Sequence, residues 1–104
     1  MPTRSNVRDA VNKANAASEA GDYELALNVL RDAWGDELKK SDQVLLIRTA
    51  GIVHMARGQA DDSIRRQAWK DARKSLERAQ RLDTGNKETR RQLNSLMSMM
   101  DESG

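Results

Sequence analysis

Gly21 to Trp34, GDYELALNVLRDAW, and Ala68 to Asn86, AWKDARKSLERAQRLDTGN, carry the same arrangement of large and small residues. Tyr23, Ala26, Leu30 and Ala33 in the first stretch correspond to Trp69, Ala72, Leu76 and Ala79 in the second, at a constant offset of 46 residues. Upstream, Ala14 and Gly21 correspond to Gly51 and Gly58 at an offset of 37. An offset that changes once, by 46 − 37 = 9 residues, is the trace of an insertion between two helices of fixed length. The repeated unit is therefore a helix, a Gly-containing turn and a second helix. A hairpin of this size cannot bury its apolar face alone, so successive hairpins stack.

Working outward, five helices are expected. The first begins near Ser5 or Asn6, either of which can cap it, and places Val7, Ala10, Val11, Ala14 and Ala17 on one face up to Ala20. Gly21 ends it and Asp22 caps the second, whose apolar positions are Leu25, Ala26, Val29, Leu30 and Ala33. A turn this short makes the two antiparallel. Gly35 and the polar run from Asp36 to Ser41 connect to a third helix, capped by Ser41 or Asp42, in which VLLIRTAGIVHMAR is apolar almost all round. Such a helix is covered on most sides. Gly51 in its interior costs about 1 kcal/mol against Ala, which calls for the close approach of another helix. Gly58 is read as the next turn, and the insertion at 59–67 as an extension of helix four. That extension makes helix four about 30 Å long and projects it beyond its partner. Thr84, Gly85 and Asn86 break the pattern before a fifth helix with Leu93, Leu96, Met97 and Met100 on one stripe.

The fold expected is thus all-α: one domain over 1–104, with repeat one at about 5–40, repeat two at about 41–85, a capping helix at about 86–100 and a disordered tail at 101–104. A chain of 104 residues buries roughly two thirds of its unfolded surface, enough for one core. Phe is absent and the only aromatics are Tyr23, Trp34 and Trp69, so that core consists of Leu, Ile, Val, Met and Ala. There is no Cys, hence no disulfide and no thiolate ligand or nucleophile, and no apolar run approaches the roughly 18 residues of a membrane span. A cytoplasmic protein without a membrane partner is expected. The net charge of +2 is unevenly spread. Met1 to Asp62 holds 8 Lys/Arg against 10 Asp/Glu, whereas Ser63 to Arg91 holds 10 against 4.

These features resemble the tetratricopeptide repeat family. GDYELALNVLRDAW looks like the family's Gly-x-Tyr turn and small-residue second helix, and AWKDARKSLERAQRLDTGN like a second helix closed by its exit turn. The sequence departs from the pattern at Lys13 and Ala14, where Leu and Gly are usual, at Thr84, where Pro is usual, and in the insertion. The resemblance implies a right-handed superhelical stack of two antiparallel hairpins plus a fifth capping helix. It also implies a non-enzymatic adaptor that binds a peptide or protein segment on the concave surface lined by the first helix of each repeat. Projected onto this chain, that surface holds Arg8, Asn12 and Asn15 from helix one, Leu45, Arg48, Thr49, Ile52 and Met55 from helix three, and Arg91, Gln92 and Ser95 from helix five. Ile47, Ala50, Gly51 and His54 should pack inward. Of the residues with which one subtype grips C-terminal carboxylates, only Asn15 has a counterpart, so that activity is not carried over.

Other chemistry finds little footing. His54 is the sole histidine, and no spacing supplies partners to orient it as a base. Asp61 and Asp62 read as helix caps, because the alternating acids of a calcium loop are missing. No glycine-rich phosphate loop occurs, so neither an enzyme nor a cofactor is expected. The rival reading is electrostatic binding of nucleic acid or another polyanion by Arg65, Arg66, Lys70, Arg73 and Lys74 on helix four. Against it stands a solvated helix face paired with Asp71 and Glu77. Met99 falls off the apolar stripe of helix five, and its exposure would provide a route to homo-oligomers through that helix.

Overall fold

A computed structural model describes the backbone from Arg4 to Ser103 and the side chains from Val7 to Glu102. Five helices follow one another: α1 (Arg4–Glu19), α2 (Tyr23–Ala33), α3 (Lys40–Ala60), α4 (Arg65–Leu82) and α5 (Lys87–Ser103), with a single 3-10 turn at Asp62–Ile64 ahead of α4. Among the described residues there is no strand. The sequence expectation of an all-α chain with five helices holds.

The junctions follow from backbone chemistry. Gly21 sits at φ 85°, a left-handed conformation that a Cβ disfavours, and the Asp22 amide donates to the Ala17 carbonyl at 2.8 Å, closing α1. Asp22 Oδ1 accepts from the Leu25 amide at 3.1 Å, the expected cap of α2. α3 starts earlier than expected. Lys40 is already helical and Lys39 precedes it without a side-chain cap, so neither Ser41 nor Asp42 caps it. The Gln43 side chain instead secures the incoming loop, its Nε2 donating to the Gly35 carbonyl at 3.2 Å. α1 is helical at Arg4, ahead of Ser5 and Asn6, whose side chains lie outside those described.

Two corrections concern the insertion. Gly58 is not a turn: α3 runs through it to Ala60, which makes α3, with 21 residues, longer than α4, with 18. The reason is packing, because Gly58 is buried where the Trp69 indole lies flush against its backbone. The nine extra residues are divided among the end of α3, Asp61, the 3-10 turn and the first turn of α4, so they do not simply extend α4. Asp61 does cap, accepting from the Ser63 amide at 3.0 Å and from its hydroxyl at 2.7 Å.

Packing runs from neighbour to neighbour. α1 rests on α2 and α3, α2 on α3, α3 on α4, and α5 on α4 and, more lightly, α3. One core cluster joins Val7, Ala14, Ala26, Leu30, Leu46 and Val53, and a second joins Met55, Trp69, Ala72, Leu76, Leu93 and Leu96. The equivalent small residues Ala26 and Ala72 are both fully buried, as the doubled pattern expects. Gly51 is likewise where helices meet: a Cβ there would lie 2.8 Å from Leu76 Cγ.

Three side chains differ from expectation. Leu25 is 49% exposed, because Tyr23, Leu27 and Leu30 already present α2 to the core. On α5 the exposed methionine is Met97, at 42%, whereas Met99 packs on the second cluster and its sulfur accepts from the Gln59 side-chain Nε2. That contact removes the basis for self-association through an exposed Met99. The backbone at Asp101, Glu102 and Ser103 continues α5, so it is helical where a disordered tail was expected; Gly104 lies outside the described residues.

Candidate functional site

α3 is the axis around which both candidate surfaces are arranged. At 100° per residue, Leu45, Arg48 and Ile52 lie on one side of it and Ile47, Ala50, His54 and Arg57 about half a turn away. Between them, Leu46 and Val53 face the cluster formed with α1 and α2, while Met55, Gly51 and Gly58 face α4.

The first side brings three helices together. Arg8 of α1, Leu45 and Arg48 of α3, and Asn86 at the start of α5 line an open pocket of about 310 Å³ with Ser41 and Asp42. Asn86 is the keystone: its Oδ1 accepts from the Thr89 amide at 2.9 Å, capping α5, and from Arg48 Nη1 at 3.3 Å. Asn12 and Asn15 are exposed on α1 and Ile52 is half-buried, all outside this pocket. Arg91 and Ser95 line a separate hollow with Lys87, Arg90, Asn94 and Ser98 along α5. Thr49 and Met55 are not surface residues at all, being 3% and 9% exposed. They lie on the flanks of the stripe, where neighbouring helices close over α3. The Thr49 hydroxyl is satisfied by donating to the Leu45 carbonyl at 2.7 Å, and Met55 packs with Trp69, Leu93 and Leu96.

The opposite side is an elongated groove. The backbones of α2 and α4 do not approach closely among the described residues; both pack on α3, and they are bridged only by side chains, where Arg78 of α4 lies over the ring of Trp34 at the end of α2. Tyr23, Leu27 and Arg31 of α2 with His54 and Arg57 of α3 line a cavity of about 740 Å³. It adjoins a second of about 310 Å³, lined by Leu30, Trp34, Ile47, Ala50 and Arg78, with Leu27 and Arg31 common to both. Ile47 and Gly51 are buried as expected, but Ala50 and His54, also expected to pack inward, are only half-buried here. The sequence offered one sign of this groove: Ala50 is the small residue between the larger Ile47 and His54 on one stripe.

His54 Nδ1 is buried without a hydrogen-bond partner. Burial pushes the imidazole below its ordinary 6.5, the Asp71 carboxylate acts in the opposite direction and Arg57 reinforces the fall. Nothing orients it as a base. Asp61, fully exposed, is held below the ordinary carboxylate range by the two bonds from Ser63. Among the described residues, no group of three or more His, Asp or Glu is placed to hold a metal ion, and no helix is long and apolar enough to cross a membrane.

The basic row of α4 divides into two kinds of residue. Arg65 is structural: its Nε donates to the Gly58 carbonyl at 2.9 Å, it pairs with Asp62, and its guanidinium lies 5.4 Å from the centre of the Trp69 ring. Arg73 pairs with Glu77 at 3.4 Å. Arg66, Lys70 and Lys74 stand exposed along one line of the helix. The polyanion reading thus loses Arg65 to the fold and shares Arg73 with a carboxylate. Compared with protein-family models, with curated proteins and with solved structures, the chain finds no match.

Proposed function

We propose that this chain is a non-enzymatic, cytoplasmic protein-interaction module, a right-handed stack of two tetratricopeptide-like hairpins and a capping helix. It binds a peptide or protein segment on the surface formed by α1, α3 and α5. The observation that carries this reading is the convergence of Arg8, Leu45, Arg48 and Asn86 on one open pocket, since these residues come from alternate helices. The packing order supports it too: α3 touches both α1 and α5, while the backbones of the even-numbered helices stay apart. Arg48 offers charge and a planar fork for a carboxylate or carbonyl, and Leu45 offers an apolar contact beside it. Asn12, Asn15, Ile52, Arg91 and Ser95, on the same three helices but outside this pocket, would make secondary contacts with a longer segment.

Peptides selected from a displayed random library and titrated against the pure chain test the reading. Arg48→Glu and Leu45→Asp should each weaken such peptides tenfold or more, about 1.4 kcal/mol. If affinity is unchanged in both variants, this surface is not the site.

A further inference from the structure

We infer that the groove between α2 and α4 is a second docking surface, shaped for an acidic amphipathic helix of another protein. It lies on the side of α3 away from Leu45 and Arg48 and does not depend on the pocket there.

Three features define the occupant. From Ile47 to Arg57 the floor extends about 15 Å, enough for two to three helical turns. Leu27, Leu30, Trp34, Ile47 and Ala50 make the hollow at its α2–α4 end apolar, and the small Ala50 leaves room for a bulky side chain to enter. Arg31 on α2 and Arg78 on α4 both line that hollow and are both exposed. Neither pairs with a carboxylate: Arg31 bonds to the Asn28 side-chain oxygen, and Arg78 lies 5.1 Å from the centre of the Trp34 ring. An apolar floor with two unneutralised guanidiniums beside it is complemented by an apolar ridge flanked by carboxylates. Asp22 and Glu24 line the other end, beside the α1–α2 turn. The acidic residues of the occupant therefore belong towards Trp34.

The probe is a synthetic, fluorescein-labelled 16-residue helix with leucines along one face and glutamates on both flanks, compared with the same peptide carrying lysines for glutamates. Fluorescence anisotropy with the full chain should show the glutamate peptide binding at least tenfold tighter. Arg31→Glu with Arg78→Glu should reverse that preference, and Ala50→Leu, which fills the floor without adding charge, should weaken both peptides. Arg48→Glu should leave binding unchanged, which separates this surface from the one formed by α1, α3 and α5. Because Arg31 and Arg78 are exposed, their replacement leaves the core intact even if Ala50→Leu does not fold. Equal affinity for the two peptides overturns the proposal, as does a preference that survives both charge reversals. Concentration-dependent self-association abolished by Ala50→Leu would overturn it too, by placing a second copy of the chain in the groove.

Discussion

His54 shows how one residue can be tolerated rather than employed. Its ring is half-buried at the groove floor and its Nδ1 lacks a partner, so the neutral form is the one the fold accepts. The folded chain binds that proton more weakly than the unfolded chain does, because burial lowers the pKa below 6.5. The contribution to stability is therefore fully present above about pH 6.5 and is lost as the pH falls towards the depressed folded value. Thermal unfolding followed between about pH 7.5 and 5.5 should show the melting temperature falling in the wild type and falling less in His54→Gln. Parallel curves for the two proteins would show that His54 does not titrate differently on folding.

At the scale of elements, the α3–α4 pair is set by glycine and indole. A Cβ at Gly58 would come within 2.4 Å of Trp69 Cδ1 and Nε1, and that Nε1 donates to the Met55 carbonyl at 3.1 Å. Gly58→Ala must move the ring and weaken this bond. The loss exceeds the roughly 1 kcal/mol gained in helix propensity, leaving a net destabilisation on the order of 1–2 kcal/mol. Denaturant unfolding checks it, with Gly85→Ala as the control. At Gly85 the nearest atom to an added Cβ is 4.0 Å away and φ is not left-handed, so the change should stay within about 0.5 kcal/mol. Equal effects at the two glycines would contradict the contact.

The whole molecule measures 43 × 31 × 16 Å between Cα extremes, two helices deep in its short direction. Its clusters are linked through α3, which supplies Leu46 and Val53 to one, Met55 to another, and Val44 and Ile47 to a third with Ala79. Unfolding should therefore be one cooperative event. Leu96 is fully buried at the α5 end, and Leu96→Ala should cost about 2–5 kcal/mol. Trp34 fluorescence, read in a Trp69→Phe background so that it reports on the opposite end alone, should shift together with the circular dichroism of all five helices. Separate transitions would make α5 an appendage rather than part of the core.

The doubled spacing of Tyr23, Ala26 and Leu30 with Trp69, Ala72 and Leu76, together with the later stripe of Leu93, Leu96 and Met100, determined the helix class, the helix number and which small residues lie at helix contacts. Those properties depend on local periodicity and on volume, both written in the residues themselves. The Asp22 cap and the close approach at Gly51 were legible for the same reason. Where the hairpins bend was not. Whether Gly58 turns the chain or receives an indole depends on where Trp69 lies, and the nine inserted residues could lengthen either helix without changing the pattern. The surfaces were the least legible of all. Thr49 and Met55 share the outer side of α3 with Arg48, yet neighbouring helices reach far enough round to bury them, and the gap between α2 and α4 half-uncovers Ala50 and His54. Exposure on a helix apolar on nearly every side is decided by which neighbours arrive and how far they spread, and only tertiary packing supplies that.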